Sequence, residues 1–147
     1  VRHYSYRIKP IFETVPKTYS MLLKDCISTY QAFNHLSSIN LPLKSSWMVA
    51  QNVSKLKPIV ETFEQARAKY VEALREKATP DAEGNPQVSD ELAEEFRNQV
   101  EGLLNEDQRV RLKKVTLVDT GDLSIEPNVL LAAMDYLILK DDANKAS

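Results

Sequence analysis

A mainly α-helical domain with a minor β component is what three features of this sequence predict. An apolar stripe runs down one long segment, only three glycines interrupt 147 residues, and a short stretch near residue 112 alternates apolar and polar side chains. Apolar residues at Val49, Val53, Leu56, Val60, Phe63, Tyr70 and Leu74 step by four and three between Trp47 and Lys77, with Arg67 the one interruption. That spacing keeps one face of a helix apolar for its whole length. Abundant Ala, Leu, Glu, Lys and Gln favour helix in the same direction.

Residues 1 to 20 carry no helical period and are broken by Pro10 and Pro16, each of which also biases its predecessor towards extended backbone. The chain opens on Val, and Met21 stands before the first orderly segment. Residues 1 to 20 are therefore expected to be an extended arm or translated leader, and residues 21 to 147 a single helical domain. Asp25 to Leu36 is expected to form a short helix capped by Asp25. Pro42 closes it off, and Ser45 or Ser46 can accept the first amides of the long helix. Pro58 sits inside that helix, yet the stripe keeps phase from Leu56 to Val60, which predicts a kinked single helix rather than two.

Residues 79 to 90, with two prolines, Gly84 and Asn85, form the clearest loop. A return helix follows from Ser89 or Asp90, its acidic residues in the first turns and Leu92, Phe96, Val100 and Leu103 or Leu104 on one face. Long helix, loop and return helix predict an antiparallel hairpin, with Val60, Phe63 or Tyr70 against Leu92, Phe96 or Val100. Val110 and Leu112, then Val115 and Leu117, have the strand period of two, and the phase slips at Lys113-Lys114, as a bulge or a turn between two short strands would require. Pro127 opens a last helix expected to run to Lys140.

Cys26 is the single cysteine, so no disulfide can form within the chain, and two histidines with one thiol supply a zinc site poorly. Cys26 and His35 lie nine positions apart on one predicted helix, roughly 13 Å by rise alone, beyond the reach of a catalytic pair. VDTGDL at 118 to 123 has the Asp-Thr-Gly of aspartic proteases, but that chemistry uses paired carboxylates in a nearly all-β scaffold, and a turn ending a strand explains the same residues. Glu91, Glu94 and Glu95 lack the Glu-x-x-His partner of a helical di-metal site and read as a solvated face. No phosphate loop or serine elbow occurs. The expectation is a non-enzymatic protein with no catalytic, cofactor-binding or metal residues and no cofactor.

The net charge of -2 hides an asymmetry. Residues 1 to 60 carry eight Lys or Arg against Glu13 and Asp25, and residues 61 to 147 carry eleven against nineteen Asp or Glu. The halves are expected to neutralise each other within the fold or across an oligomer. A phosphate-binding face using Lys44, Lys55 and Lys57, with Lys113 and Lys114 as a second patch, is the alternative, and would make the chain a nucleic-acid-associated regulator.

The order of segments carries a resemblance. A short Leu-Lys-Asp opening and helix, the NLPLKSSWMVAQNV run into a long charged helix, a Gly-Asn loop, a return helix ending in GLL before an extended stretch, and the closing PNVLLAAMDYLI together resemble a family of small tailed-phage and prophage proteins of unknown function. The likeness covers Leu22 to Leu139 and leaves out residues 1 to 20. It implies a bacteriophage or prophage setting, in the host cytoplasm or on the virion, and an accessory acting by protein-protein interaction or assembly. The expected partner is another protein or a second copy of the chain, since the long helix spans roughly 45 Å and its return partner only some 25 Å. No apolar run approaches a membrane span, so no membrane partner is expected.

Overall fold

The computed structural model describes residues 15 to 119 and 125 to 141. It is mostly helical. The elements in order are β1 (Lys17–Leu22), α1 (Leu23–Ser37), α2 (Leu43–Glu76), β2 (Thr79–Pro80), β3 (Pro86–Gln87), α3 (Asp90–Leu104), β4 (Asp107–Leu112), β5 (Val115–Asp119), α4 (Pro127–Ala133), a 3-10 turn (Met134–Tyr136) and β6 (Leu137–Asp141). Strands pair two by two: β1 antiparallel to β4, β2 antiparallel to β3, and β5 parallel to β6. No helix of the described residues is both long and apolar enough to cross a membrane.

The first helix buries Leu23, Cys26, Thr29, Ala32, Phe33 and Leu36, spacings of three and four that present one face to the core. It begins at Leu23, so Asp25 lies in its first turn, where the helix dipole favours a carboxylate, and does not cap it. The Leu23 amide instead donates to the Glu106 carbonyl at 2.9 Å, extending the β1–β4 ladder into the helix. The boundary placed between residues 20 and 21 falls inside β1, where Lys17 to Leu22 pair with Leu112 to Asp107. The stretch had no helical period because it is a strand; residues 1 to 14 lie outside the described region.

The long helix starts at Leu43, four residues before the expected Trp47, and runs unbroken through Pro58 to Glu76. It buries Ser45, Met48, Val49, Asn52, Leu56, Val60 and Phe63. Burial then stops, for Glu64 to Lys69 are exposed and Tyr70, Val71 and Leu74 only half-buried. The return helix α3 is capped as expected, Ser89 Oγ accepting from the Leu92 amide at 3.3 Å. None of its side chains is fully buried. Tyr70 stacks on Phe96 with ring centroids 5.3 Å apart, and Val100 and Leu104 pack at the margin of the core.

The core lies where α1 and the first two-thirds of α2 meet β4 and β5. Phe33, Leu36, Val49, Leu56, Leu112, Val115 and Leu117 are fully buried in it. At one side Tyr136 packs edge-on to Tyr19 at 4.8 Å and against Phe33 at 6.3 Å. The alternation of Val110, Leu112, Val115 and Leu117 therefore reads correctly, and the slip at Lys113-Lys114 is the passage from one sheet to another.

Asn52 governs that passage. Only 1% exposed, it donates from Nδ2 to the Lys113 carbonyl at 2.8 Å and accepts from the Lys113 amide at its Oδ1 at 2.9 Å. A side-chain amide thus takes the place of a neighbouring strand at Lys113, the first of the two residues that lie between the ladders. Nearby, Ser45 does not cap its helix as expected; its hydroxyl donates to the Thr116 carbonyl at 2.5 Å.

Two further expectations change. The last helix ends at Ala133, and Leu137 to Asp141 form β6, because the apolar run there covers the open edge of β5. The loop after α2 holds a small hairpin organised by Asp81, whose carboxylate accepts from the amides of Asn85 at 2.8 Å and Glu83 at 2.9 Å and from Gln87 Nε2 at 3.3 Å. Gly84, with φ of 84°, supplies the left-handed residue the turn needs.

Asn52→Ala should cost about 2 to 4 kcal/mol in urea unfolding, since it strands a donor and an acceptor at once. A loss below about 0.5 kcal/mol would mean water replaces the amide freely. The Asn85 amide above all, with Glu83 and Gln87, holds the Asp81 carboxyl below its usual range. A lowered folded value stabilises the hairpin fully above the unfolded value, about 3.9, and the gain is lost as pH falls through the lowered one. The amide resonances of Glu83 and Asn85 should therefore titrate together below the ordinary aspartate range.

Candidate functional site

Beside the Asn52 contact, α2 and the end of β4 enclose an open groove of about 470 Å³. From α2 come Trp47, Gln51 and Lys55, at successive turns of one face. From the strand side come Arg111 and Lys113, and Pro16 closes one edge. Arg111 points outward because its neighbours Val110 and Leu112 point in. Lys113 is fixed through its backbone by Asn52.

Three cations line this groove and, among the described residues, no carboxylate does. None of the three is ion-paired: the salt bridges among the described residues join Lys57 to Glu61, Arg67 to Glu64 and Arg75 to Glu72, all exposed and all within α2. Of these pairs one, Lys57–Glu61, joins the basic half to the acidic half, between neighbours one turn apart on the same helix, and it lies outside the groove. Trp47 is 63% exposed, with Leu43 a turn before it also open to solvent. Gln51 Oε1 is buried in the groove wall without a hydrogen-bond partner among the described residues.

Of the basic residues singled out in the sequence, Lys55 and Lys113 come together here from positions 58 apart. Lys44 and Lys57 are exposed on α2 outside the lining, and Lys114 is half-buried outside it. Sequence reading missed Arg111 and Trp47. The outward phase of Arg109 and Arg111 between buried Val110 and Leu112 was the available signal for the first. Trp47 stands just before the stripe that opens at Val49, and beside it Met48 and Val49 are buried while its own ring stays exposed.

Cys26 is fully buried and His35 exposed, on the same helix. Burial first, then the Asp25 charge, push the Cys26 thiol up, away from the thiolate a nucleophile needs. Burial likewise pushes the Tyr136 phenol up, with Asp135 adding to it; its hydroxyl approaches Met21 Sδ at 4.0 Å. A second depression between β1, α1 and α4 carries Asp25, Asp107 and Asp135, but among the described residues no cluster of three or more His, Cys, Asp or Glu is arranged to hold a metal ion. Glu91, Glu94 and Glu95 are exposed on α3. Asp119 ends β5, and the rest of its Asp-Thr-Gly turn, residues 120 to 124, lies outside the described region.

No protein-family model, curated protein or solved structure matches the chain.

Cys26 should react with a thiol reagent on the order of a hundredfold more slowly in the folded protein than in urea, because attack needs an exposed thiolate. His35→Ala should leave that rate unchanged. Fast native labelling that slows in the His35 variant would reveal the pair that the geometry separates.

Proposed function

We propose that the chain is a non-enzymatic phage or prophage accessory, in the host cytoplasm or on the virion, acting by docking to a second copy of itself or to another protein. The observation that carries this is the apolar surface at the end of the described chain. Leu131 is 68% exposed, Met134 51% and Leu139 61%. Leu131 and Met134, three apart, share one side of α4 and its 3-10 extension, and Leu139 stands on the strand that follows. Large apolar side chains gathered at one end of a small domain suit an interface better than solvent.

Strand pairing supports the same reading. β6 has β5 as its one partner among the described residues, in a two-stranded parallel sheet. Parallel sheets are ordinarily covered on both faces and extended at their edges. An antiparallel match of β6 with β6 of a second copy would make four strands from two and cover Leu139 across a two-fold axis. The α2–α3 pair, held by Tyr70 on Phe96 and turned by the Asp81 hairpin, is read as the antiparallel hairpin expected from the sequence, with its half-buried outer end as further contact surface. The phage setting rests on the resemblance in segment order.

Light scattering over a wide concentration series should give a mass that rises towards the dimer. Leu139→Lys should weaken that association about tenfold or more, a change of about 1.4 kcal/mol, without lowering the melting temperature of the monomer. A monomer mass at every concentration, together with an unaltered mass in the variant, would remove self-association from the reading.

A further inference from the structure

We propose that the groove between α2 and β4 binds single-stranded nucleic acid, with a base stacked on Trp47 and the flanking phosphates on Lys55, Arg111 and Lys113. This goes beyond docking through the apolar end and rests on different residues. Charge is the first argument. The chain as a whole is slightly acidic, with a net charge of -2, yet this concavity holds three unpaired cations and no carboxylate among the described residues. Clustered like charges in a concave wall repel one another, so the arrangement costs stability in the free protein and favours a polyanion.

Trp47 narrows the choice of polyanion. An indole 63% exposed beside cations is a stacking platform, and every base offers it a flat face once it is out of a duplex. Trp47 and Lys55 stand eight residues apart on one helix, about 12 Å along the axis, so the base and phosphate contacts are separated along a strand rather than crowded at one point. In a duplex the base faces are covered by their neighbours, so groove edges and phosphates remain but no open face for the indole. Gln51 adds a polar requirement. Its Oε1 has no donor among the described residues, and the exocyclic amines of bases can supply one after rotation of the side-chain amide, which phosphates and carboxylates cannot.

Trp47 is the single tryptophan, so its fluorescence reports the site directly. A mixed-sequence single-stranded DNA oligonucleotide and its RNA counterpart, titrated into the full chain, should quench it; the stronger arm identifies the sugar. Three phosphate contacts predict a log–log salt slope of about -2, or roughly twentyfold weaker binding for a fourfold rise in salt. Trp47→Ala, read by anisotropy of labelled oligonucleotide, should weaken binding roughly ten- to hundredfold. Lys55→Glu and Arg111→Glu should each weaken it and flatten the slope by about 0.7, while Lys57→Glu, the same charge change outside the groove, should leave the slope intact. All four side chains are exposed, and unchanged melting curves confirm that the variants fold. Absence of quenching by both oligonucleotides would overturn the proposal. So would equal binding of the duplex or of polyglutamate, or full affinity in Trp47→Ala, each of which would leave a site for acidic surfaces in general.

Discussion

The fold turns on one buried amide. Between Leu112 and Val115 the chain leaves the sheet it shares with β1 and joins the sheet it shares with β6, and at Lys113 neither ladder supplies a partner. A buried peptide group without partners costs about as much as several ordinary interactions contribute. Asn52 removes that cost by donating to and accepting from the same residue, as a neighbouring strand would. Serine, threonine or aspartate at this position could meet only part of the demand, since only a carboxamide offers both a fixed donor and a fixed acceptor at the right separation. With the junction fixed, β4 and β5 each present their apolar faces to the same side of α2, and Leu112, Val115 and Leu117 enter one core.

From this constraint the division of labour along α2 follows. Its first two-thirds are anchored to the sheets through Ser45, Asn52 and the buried stripe to Phe63, whereas the remainder leaves the core and is met by α3 through Tyr70 on Phe96. The outer part is helical because of sequence as much as packing: ion pairs at i, i+3 and strong helix formers such as Ala66, Ala68 and Ala73 sustain it. Exposed pairs of this kind contribute little each, so this end should be the first part of the helix to fray.

What was legible in the sequence was what depends on local periodicity. The stripes of α1, α2 and α3, the Ser89 cap, the loop at Gly84 and the inward phase of Val110, Leu112, Val115 and Leu117 could all be read from spacing. What could not be read depends on partners distant in sequence. Residues 17 to 22 look irregular until Leu112 to Asp107 lie beside them, and LILKD reads as the end of a helix until β5 offers an edge. Asn52 has no local signature either, since an asparagine on a helix is ordinarily solvated. The groove was half legible for the same reason. Lys55 and Lys113 could be named, but their meeting depends on the contact between Asn52 and Lys113, and Arg111 and Trp47 acquire significance only once those elements are placed together.

That dependence ties the site to the fold. A loop-borne basic patch can be reshaped without touching the core, but here the wall of the groove and the core share a helix turn: Gln51 faces the groove, Asn52 clasps the junction, and Val49 and Leu56 are fully buried on either side. Rotating α2 enough to move Trp47 or Lys55 would break both Asn52 hydrogen bonds and withdraw Val49 and Leu56 from their neighbours. The groove therefore lies on a rigid support, which lowers the ordering cost of binding. The apolar end is supported differently, on a seven-residue helix and the outer strand of a two-stranded sheet, where a partner can add strand pairing of its own. β5 links the two regions, because its Thr116 carbonyl receives Ser45 from α2 while its ladder carries β6.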